Sequence, residues 1–253
     1  MTKCVGLDWA SKGWFGVVLD EGGWETDLFP SVWSVWKYHS DAERVFIDIP
    51  VGLPSDGKRA CDRRAKEKLG PRQGSVFYTP VRDAVYRGNL DEAKDVNEAE
   101  AGFSIQNQAW SIVPRIREVD EFLDMYPSAR DRLTETHPEL CFYGLNGGSP
   151  LDASKRSEEG IERRLVLLAD EYADAAAVYE ESVERYTEPR YAPLVREDDI
   201  LDALAAAVTA RRPEGKRTTL PEAPSTDERG LPMRIVYPSD MEQTQLSTLG
   251  GRR

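Results

Sequence analysis

The sequence predicts an α/β fold, in which helices flank one mixed sheet, and three observations support that prediction. Two short apolar runs, residues 4–7 and 14–19, are separated by a Ser-Lys-Gly turn signal, as in a β-hairpin. A third compact run, residues 45–49, is rich in β-branched and aromatic side chains and is followed by Pro50. Segments with helical periodicity alternate with these runs, which is the order typical of α/β proteins.

The remaining elements follow from the same patterns. The predicted strands, or segments that contain a short strand, are residues 4–7, 14–19, 24–29, 45–49, 132–142 and 234–237. The predicted helices are residues 31–39, 158–179 and 198–211. Residues 55–130 are polar and mainly helical, with an amphipathic stretch at 110–125, and are predicted to form a helical insertion. Residues 1–238 are then one domain, and residues 239–253 are predicted to be a disordered tail.

Composition and charge limit the function. The chain has 253 residues, with 45 acidic and 33 basic side chains and a formal charge of −12 at pH 7. This excess of acid excludes a globally basic protein that coats nucleic acid. Arginine outnumbers lysine 24 to 9, and the acidic side chains are spread along the chain. The pattern is typical of a salt-adapted surface or, alternatively, of an ordinary acidic protein.

Cysteine content and hydropathy predict a cytoplasmic protein. Cys4, Cys61 and Cys141 are odd in number and far apart, so we expect reduced, buried thiols rather than a disulfide framework or a CxxC metal site. No apolar run approaches the roughly 20 residues that span a bilayer, and the N-terminus passes directly into a strand pattern without a signal peptide. We therefore expect no membrane partner.

Several catalytic motifs are missing from the sequence. The phosphate loop GxxxxGK[ST], a GxGxxG after a strand, HExxH and GxSxG do not occur. His39 and His137 are the only histidines, so a zinc site built on a histidine cluster is not expected, and a Ser-His-Asp triad would have to use one of these two. The sequence offers carboxylates instead.

Carboxylates occur on two predicted strands and at the start of one helix. Asp8 follows the apolar residues of the first strand, and strand alternation puts Asp48 on the face opposite its two isoleucine neighbours. Asp199 and Asp202 lie three residues apart on the last helix, where Asp202 is flanked by apolar residues and therefore needs a cation partner. Glu135 is a further candidate carboxylate for the same site. Turn capping or pairing with arginine is the alternative role for Asp8 and Asp48.

Such a set of carboxylates predicts a metal site. Hard oxygen ligands without a cysteine or histidine cluster suit Mg²⁺ or Mn²⁺. Two such ions about 4 Å apart activate water and stabilise the leaving oxygen in phosphodiester hydrolysis. The predicted metal ligands are Asp8, Asp48, Asp199 and Asp202, and these four are with Glu135 the predicted catalytic residues.

A short basic segment offers a surface for an anionic substrate. Residues 58–72 contain seven basic and two acidic side chains, a local charge of +5 in a chain of −12. Basic side chains one helical turn apart can contact successive phosphates of nucleic acid. The alternative is a solvated helix with internal ion pairs. The predicted nucleic-acid-binding residues are Arg59, Arg63, Lys66, Arg72 and Arg82.

Several short motifs occur in an order that resembles one known family. The motifs are Gly6-Leu7-Asp8, Ile47-Asp48-Ile49-Pro50, Arg59 with Cys61-Asp62, Gln108-Ala109-Trp110, His137-Pro138-Glu139, Ser154-Lys155 and Asp198-Asp199-Ile200-Leu201-Asp202-Ala203. Together they resemble the domain-of-unknown-function family 429, whose members are predicted nucleases of the RNase H-like fold. The resemblance covers nearly the whole chain.

The resemblance implies a five-stranded RNase H-like core. It implies Asp8 on the first strand, Asp48 on the fourth, Asp199 with Asp202 on a late helix, and Glu135 as a further ligand on the fifth strand. We therefore expect a nuclease that uses two Mg²⁺ or Mn²⁺ ions to hydrolyse phosphodiester bonds in nucleic acid. Two alternatives stay open: a small-molecule kinase or ATPase of actin-like fold, and a non-catalytic module that binds nucleic acid or protein.

Overall fold

A five-stranded mixed sheet is the centre of the protein, for which a computed structural model describes residues 2–187 and 195–239. The strands are β1 (Cys4–Ala10), β2 (Gly13–Asp20), β3 (Gly23–Phe29), β4 (Arg44–Ile47) and β5 (Leu133–Glu135). Their order in the sheet is β3-β2-β1-β4-β5. The first three strands pair antiparallel, whereas β4 pairs parallel with both β1 and β5. The predicted α/β class with one mixed five-stranded sheet is confirmed, and the topology is consistent with an RNase H-like fold.

Helices cover both faces of this sheet. They are α1 (Val32–His39), α2 (Ala60–Leu69), α3 (Arg82–Val85), α4 (Leu90–Ala101), α5 (Asn107–Met125), α6 (Pro138–Leu145), α7 (Glu158–Ala169), α8 (Ala175–Tyr186) and α9 (Glu197–Arg211). A separate two-stranded sheet, β6 (Arg217–Leu220) with β7 (Ile235–Pro238), packs beside α6. Within residues 2–187 and 195–239, none of the helices has both the length and the apolar character needed to cross a membrane.

Strand alternation divides the core between the two faces of the sheet. On one face, Val5 and Leu7 of β1 pack with Val119 and Phe122 of α5. On the opposite face, alternate residues of β2 pack against α7, α8 and α9. Successive side chains of a strand point to opposite faces, so the same strands serve both cores. Because α5 belongs to the predicted insertion, that segment shares its core with the sheet.

Helix α9 lies directly on β1 because Gly6 has no side chain. A Cβ atom built on Gly6 would lie 2.1 Å from the backbone nitrogen of Ala207 and 2.2 Å from the carbonyl oxygen of Ala203. Asp8 has the same strand parity as Gly6 and therefore points to the face that α9 covers. This close approach brings the helix residue Asp202 to the carboxylate of Asp8.

We expect Gly6→Ala to destabilise the protein by about 1–3 kcal/mol, because a methyl group here collides with backbone atoms that cannot rotate away. Urea unfolding measures the change. Gly88→Ala is the matched control, since no atom outside its chain neighbours lies within 4 Å of the added Cβ, and its effect should stay within about 0.5 kcal/mol. Equal stability of the Gly6→Ala and Gly88→Ala proteins would contradict the close packing of α9 on β1.

Two predicted elements differ from the structure. The helix predicted over residues 158–179 is split into α7 and α8, and Asp174, a residue type favoured at helix starts, occupies the N-cap position of α8. The strand predicted within residues 132–142 is only three residues long, and the chain enters α6 at Pro138. Proline fits the first turn of a helix because it needs no backbone hydrogen bond there.

Three further segments refine the sequence prediction. Strand β1 continues to Ala10, so Asp8 lies inside the strand and not at its end. Strand β6 is not among the strands that the sequence predicted. The predicted disordered tail, residues 239–253, falls outside the described residues except for Ser239.

Candidate functional site

Two carboxylates meet where β1 and β4 lie side by side. In this parallel pair Leu7 is aligned with Ile47, and the N–H of Asp48 donates to the carbonyl oxygen of Leu7 at 3.0 Å. Asp8 and Asp48 are the next residues after this aligned pair, and their carboxyl groups are close enough for the charge of Asp48 to raise the pKa of Asp8. Both lie on the face of the sheet that α9 covers.

Helix α9 supplies a third carboxylate to this face. Asp202 is 4% exposed, and its Oδ2 accepts a hydrogen bond from Nζ of Lys155. Lys155 also lies 3.5 Å from Oδ2 of Asp198, one helical turn before Asp202. Lys155 is therefore the cation partner that the sequence predicts for Asp202. The second oxygen of Asp202, Oδ1, is buried and has no hydrogen-bond partner.

The loop before α7 holds Lys155 in place. The side chain of Arg164 in α7 is fully buried and donates to the carbonyl oxygen of Ala153 at 3.1 Å and to Oε1 of Glu139 at 2.8 Å. Ser157 caps the first turn of α7 with its hydroxyl group. Lys155 therefore lies between two anchored positions of the chain, which limits how far it can move from the carboxylates.

Burial raises the pKa values of the three carboxylates, and the charges of neighbouring acids add to this effect. Burial, followed by the charges of Asp202 and Asp48, raises the pKa of Asp8 well above its ordinary value. Burial also raises the pKa of Asp48 to about 7 and that of Asp202 to about 6, against the attraction of Lys155. Burial alone would lower the pKa of Lys155, but Asp202, Asp8 and Asp198 outweigh it and raise that pKa. Crowded buried acids of this kind are typical of functional sites.

We expect the metal-free protein to lose stability as the pH rises from about 4 to about 7. The pKa values of Asp48 and Asp202 are raised from 3.8 to about 7 and about 6, so in this interval the folded state binds more protons than the unfolded state. Stability then falls with rising pH, by at least about 1 kcal/mol, or about 2–4 °C in melting temperature. Thermal unfolding in EDTA over this pH range measures the effect.

The double variant Asp8→Asn/Asp202→Asn isolates the contribution of the site to that pH dependence. It should show a flatter profile, because it lacks two of the acids that titrate abnormally. Asp95→Asn, on the exposed surface of α4, is the matched control and should follow the wild-type profile. Equal slopes in the wild-type protein and the double variant would contradict the raised pKa values.

Two of the predicted carboxylates have other positions. Oδ2 of Asp199 accepts the N–H of Arg196 at 2.9 Å and so caps the first turn of α9. Burial raises its pKa to about 6, and its charge contributes to the raised pKa of Asp8, so it lies at the edge of the site. Glu135 has the strand parity of Leu133, which packs in the core on the α5 face. Glu135 therefore leaves the sheet on the face opposite to the other acids, although it lines a smaller cavity together with Asp8 and Asp48.

Glu135 instead belongs to a buried ion-pair cluster with Arg59 and Asp62. Nη1 of Arg59 lies 2.7 Å from Oε2 of Glu135, and Nη2 lies 2.6 Å from Oδ1 of Asp62. The two carboxylates also accept the N–H groups of Val51 at 2.7 Å and Thr79 at 2.8 Å. Arg59 is 3% exposed, so the expected contact with phosphate is corrected: this arginine ties α2 to β5 and to the loop after β4.

Arg82 and Lys66 are also engaged within the protein. Arg82 is buried and pairs with Asp120 and Asp227, each at 2.5 Å, so its expected place in a nucleic-acid groove is corrected as well. Nζ of Lys66 donates to the carbonyl oxygen of Gln73 at 3.0 Å, which ties the end of α2 to the segment that follows it. Arg72 is half-buried and donates to the carbonyl oxygens of Leu151, at 2.9 Å, and Asp152, so Arg63 is the exposed residue of the predicted basic set.

A cavity of about 480 Å³ adjoins Asp48 and Asp202. The basic residues of its wall are Arg72, Lys155 and Arg156, together with His137. Arg72 thus lies beside the carboxylates, whereas Arg63 is exposed on α2 and is not part of this wall. Lys155 and Arg156 had no predicted role, although two adjacent basic residues and the need of Asp202 for a cation were signals for them.

The donors on this face suit a divalent cation by their chemistry. Among residues 2–187 and 195–239, no group of three or more His, Cys, Asp or Glu side chains is arranged as a ready metal site. Asp8, Asp48 and Asp202 nevertheless present hard oxygen donors on one buried face, and Oδ1 of Asp202 is unpaired. The pairing of Lys155 with this face demonstrates its attraction for positive charge. These residues therefore fit Mg²⁺ or Mn²⁺.

Comparison with known proteins adds one family match. A family model with the description "Protein of unknown function (DUF429)" matches residues 6–226. That range includes Asp8, Asp48, Lys155 and Asp202. Comparisons with curated proteins and with solved structures gave no match.

Proposed function

The chain belongs to the DUF429 family, and we propose that it is a metal-dependent nuclease that hydrolyses phosphodiester bonds in nucleic acid. The single observation that carries the proposal is the convergence of Asp8, Asp48 and Asp202 on one buried face, where each has a raised pKa. The adjoining cavity has basic side chains on its wall, which an anionic substrate requires.

Asp8, Asp48 and Asp202 would hold the metal, with Asp199 at the edge of the site. Two Mg²⁺ or Mn²⁺ ions are the number expected for this chemistry, and they supply Lewis acidity and activate water for attack on phosphorus. Before a metal binds, Lys155 offsets part of the negative charge through its ion pairs with Asp202 and Asp198.

Basic side chains are suited to bind the phosphate groups of the substrate. Nζ of Lys155 lies among the carboxylates and pairs with Asp202. The side chain of Arg156 is 70% exposed and lies 3.4 Å from Oδ2 of Asp198. Arginine presents several donors to a phosphate, and lysine acts as a point charge. Together with Arg72 they match the charge of a phosphodiester that enters the cavity.

A cytoplasmic location forms part of the proposal. Cys4, Cys61 and Cys141 are buried free thiols, as the sequence predicted. Free thiols are typical of proteins in reducing compartments.

Incubation of the purified protein with single-stranded and duplex DNA and RNA tests the proposal. With Mg²⁺ or Mn²⁺ present we expect cleavage that leaves a 5′-phosphate and a 3′-hydroxyl, and EDTA should abolish it. Titration calorimetry with Mn²⁺ alone should detect binding to the wild-type protein and weaker binding to Asp8→Asn. Intact substrates under all metal conditions, or cleavage that proceeds equally in EDTA, would reject the proposal.

A non-catalytic nucleic-acid-binding module is the second candidate, and the ion pairs of Lys155 with Asp198 and Asp202 favour it. In such a module the lysine would neutralise the carboxylates permanently. The protein would then bind nucleic acid equally well in EDTA and leave it intact. Calorimetry with Mn²⁺ separates the two candidates, because the module has no need to bind the metal.

A further inference from the structure

A second, smaller cavity adjoins the carboxylate site. Its volume is about 170 Å³, and it shares Asp48, Ser75 and His137 with the larger cavity of about 480 Å³. Asp8 lines the smaller cavity and Asp202 lines the larger one. The acids of the site therefore lie at the junction of two cavities.

Most side chains in the walls of the smaller cavity are apolar or already held in ion pairs. Arg59, Asp62 and Glu135 line it, but these three side chains satisfy one another in the buried ion-pair cluster. The guanidinium group of Arg115 lies 4.2 Å from the ring centroid of Trp9, which lines this cavity. The apolar and aromatic wall residues are Trp9, Ile49, Val76, Phe77, Ile112 and Ile235.

A buried hydroxyl group in this wall lacks a partner. Thr79 is completely buried, and its Oγ1 has no hydrogen-bond partner, although its backbone N–H donates to Asp62 at 2.8 Å. A buried polar atom without a hydrogen bond is unfavourable. A ligand that brings a hydrogen-bonding group to this depth would remove the deficit.

The two cavities differ in the chemistry that they accept. The larger one is lined by the acids Asp48, Glu139 and Asp202 and by three basic side chains, Arg72, Lys155 and Arg156. The basic side chains are the groups that can contact an anion. The smaller one has largely apolar walls and includes Thr79, whose hydroxyl group is buried and unpaired. Such walls suit a flat ring with polar edges. A nucleotide unites these two parts, because a phosphate group and a heterocyclic base are joined by a short sugar.

We propose that the smaller cavity binds the base of a single unpaired nucleotide next to the phosphate at the carboxylate site. The cavity has the volume of about six water molecules in the liquid, which accommodates one base but not a base pair. The substrate class is then single-stranded nucleic acid, or a duplex position from which a base can leave the stack. This inference deepens the proposed nuclease function and rests on it.

Binding measurements in EDTA test the base cavity without any need for cleavage. Fluorescence anisotropy compares a labelled single strand with a duplex of the same sequence. We expect the wild-type protein to bind the single strand about tenfold or more tightly, since stacking of one base against aromatic and apolar side chains contributes about this much. A single strand whose bases are replaced by abasic sites should lose that advantage.

Two variants locate this preference in the cavity. Ile112→Trp places a larger side chain in the wall and should abolish the preference for the single strand while leaving duplex binding unchanged. Thr79→Val removes only the unpaired hydroxyl group, so the fold should be kept, and binding of the single strand should weaken about fivefold. Tyr38→Ala, an exposed residue of α1 that lines neither cavity, is the control and should match the wild type.

The outcomes separate the base cavity from the nuclease proposal. Equal binding of single strand and duplex, or a preference that survives both Ile112→Trp and Thr79→Val, would overturn the base cavity even if the protein cleaves nucleic acid. Conversely, a preference that Ile112→Trp abolishes and Thr79→Val reduces would support the cavity even if no metal condition yields cleavage, in which case only the nuclease proposal fails.

Discussion

Replacing Asp8 with asparagine is expected to lower metal-dependent cleavage at least about 100-fold and to raise the melting temperature of the metal-free protein at neutral pH. Asparagine keeps the shape of the side chain but loses the negative charge that a divalent cation requires. In the metal-free protein the same charge is unfavourable, because burial and the carboxylates of Asp202 and Asp48 raise the pKa of Asp8. The two effects therefore have opposite signs.

The opposite effects on cleavage and on melting temperature distinguish a variant that has lost the metal site from a variant that has lost its fold. A variant that merely unfolds would lose activity and melting temperature together. Asp202→Asn should also lose activity, while Lys155 keeps its contact with Asp198. Asp95→Asn, on the exposed surface of α4, is the control for a removed charge and should change neither quantity. Wild-type cleavage rates in both Asp8→Asn and Asp202→Asn would reject these residues as metal ligands.

Strand alternation made the centre of the site predictable from sequence. Asp8 and Asp48 each follow an apolar residue that points to the α5 core, Leu7 and Ile47, so both acids point to the opposite face. Asp202 was recognisable because an acid within an apolar helix requires a cation. The pairing with Lys155 follows that rule, although the two residues are 47 positions apart and only the fold identifies the partner.

The positions of Glu135 and Arg59 were not predictable in the same way. Which face an acid occupies depends on the register of its strand, and β5 is too short for its pattern to define one. Arg59 lies in a basic segment, where local charge predicts exposure. Its partner Glu135 is 76 residues away in sequence, so the buried ion pair is a property of the tertiary fold.

Arg59→Met is expected to destabilise the protein by about 3–5 kcal/mol. The substitution leaves the carboxylates of Asp62 and Glu135 without their cation in a region where both are nearly inaccessible to water. Urea unfolding of the metal-free protein measures the loss. Arg63→Met is the matched control, because Arg63 is exposed on the same helix, and it should change stability by less than about 0.5 kcal/mol.

Neutralising the two carboxylates tests whether the loss arises from unpaired charge. In an Arg59→Met/Asp62→Asn/Glu135→Gln protein, the amide oxygens can still accept the N–H groups of Thr79 and Val51, while no buried charge remains. We therefore expect the triple variant to recover at least about half of the stability that Arg59→Met loses, since removal of all charges from a buried ion-pair cluster costs less than removal of one partner. A triple variant no more stable than Arg59→Met would mean that the packing and donor groups of the arginine, and not its charge, hold α2 against β5.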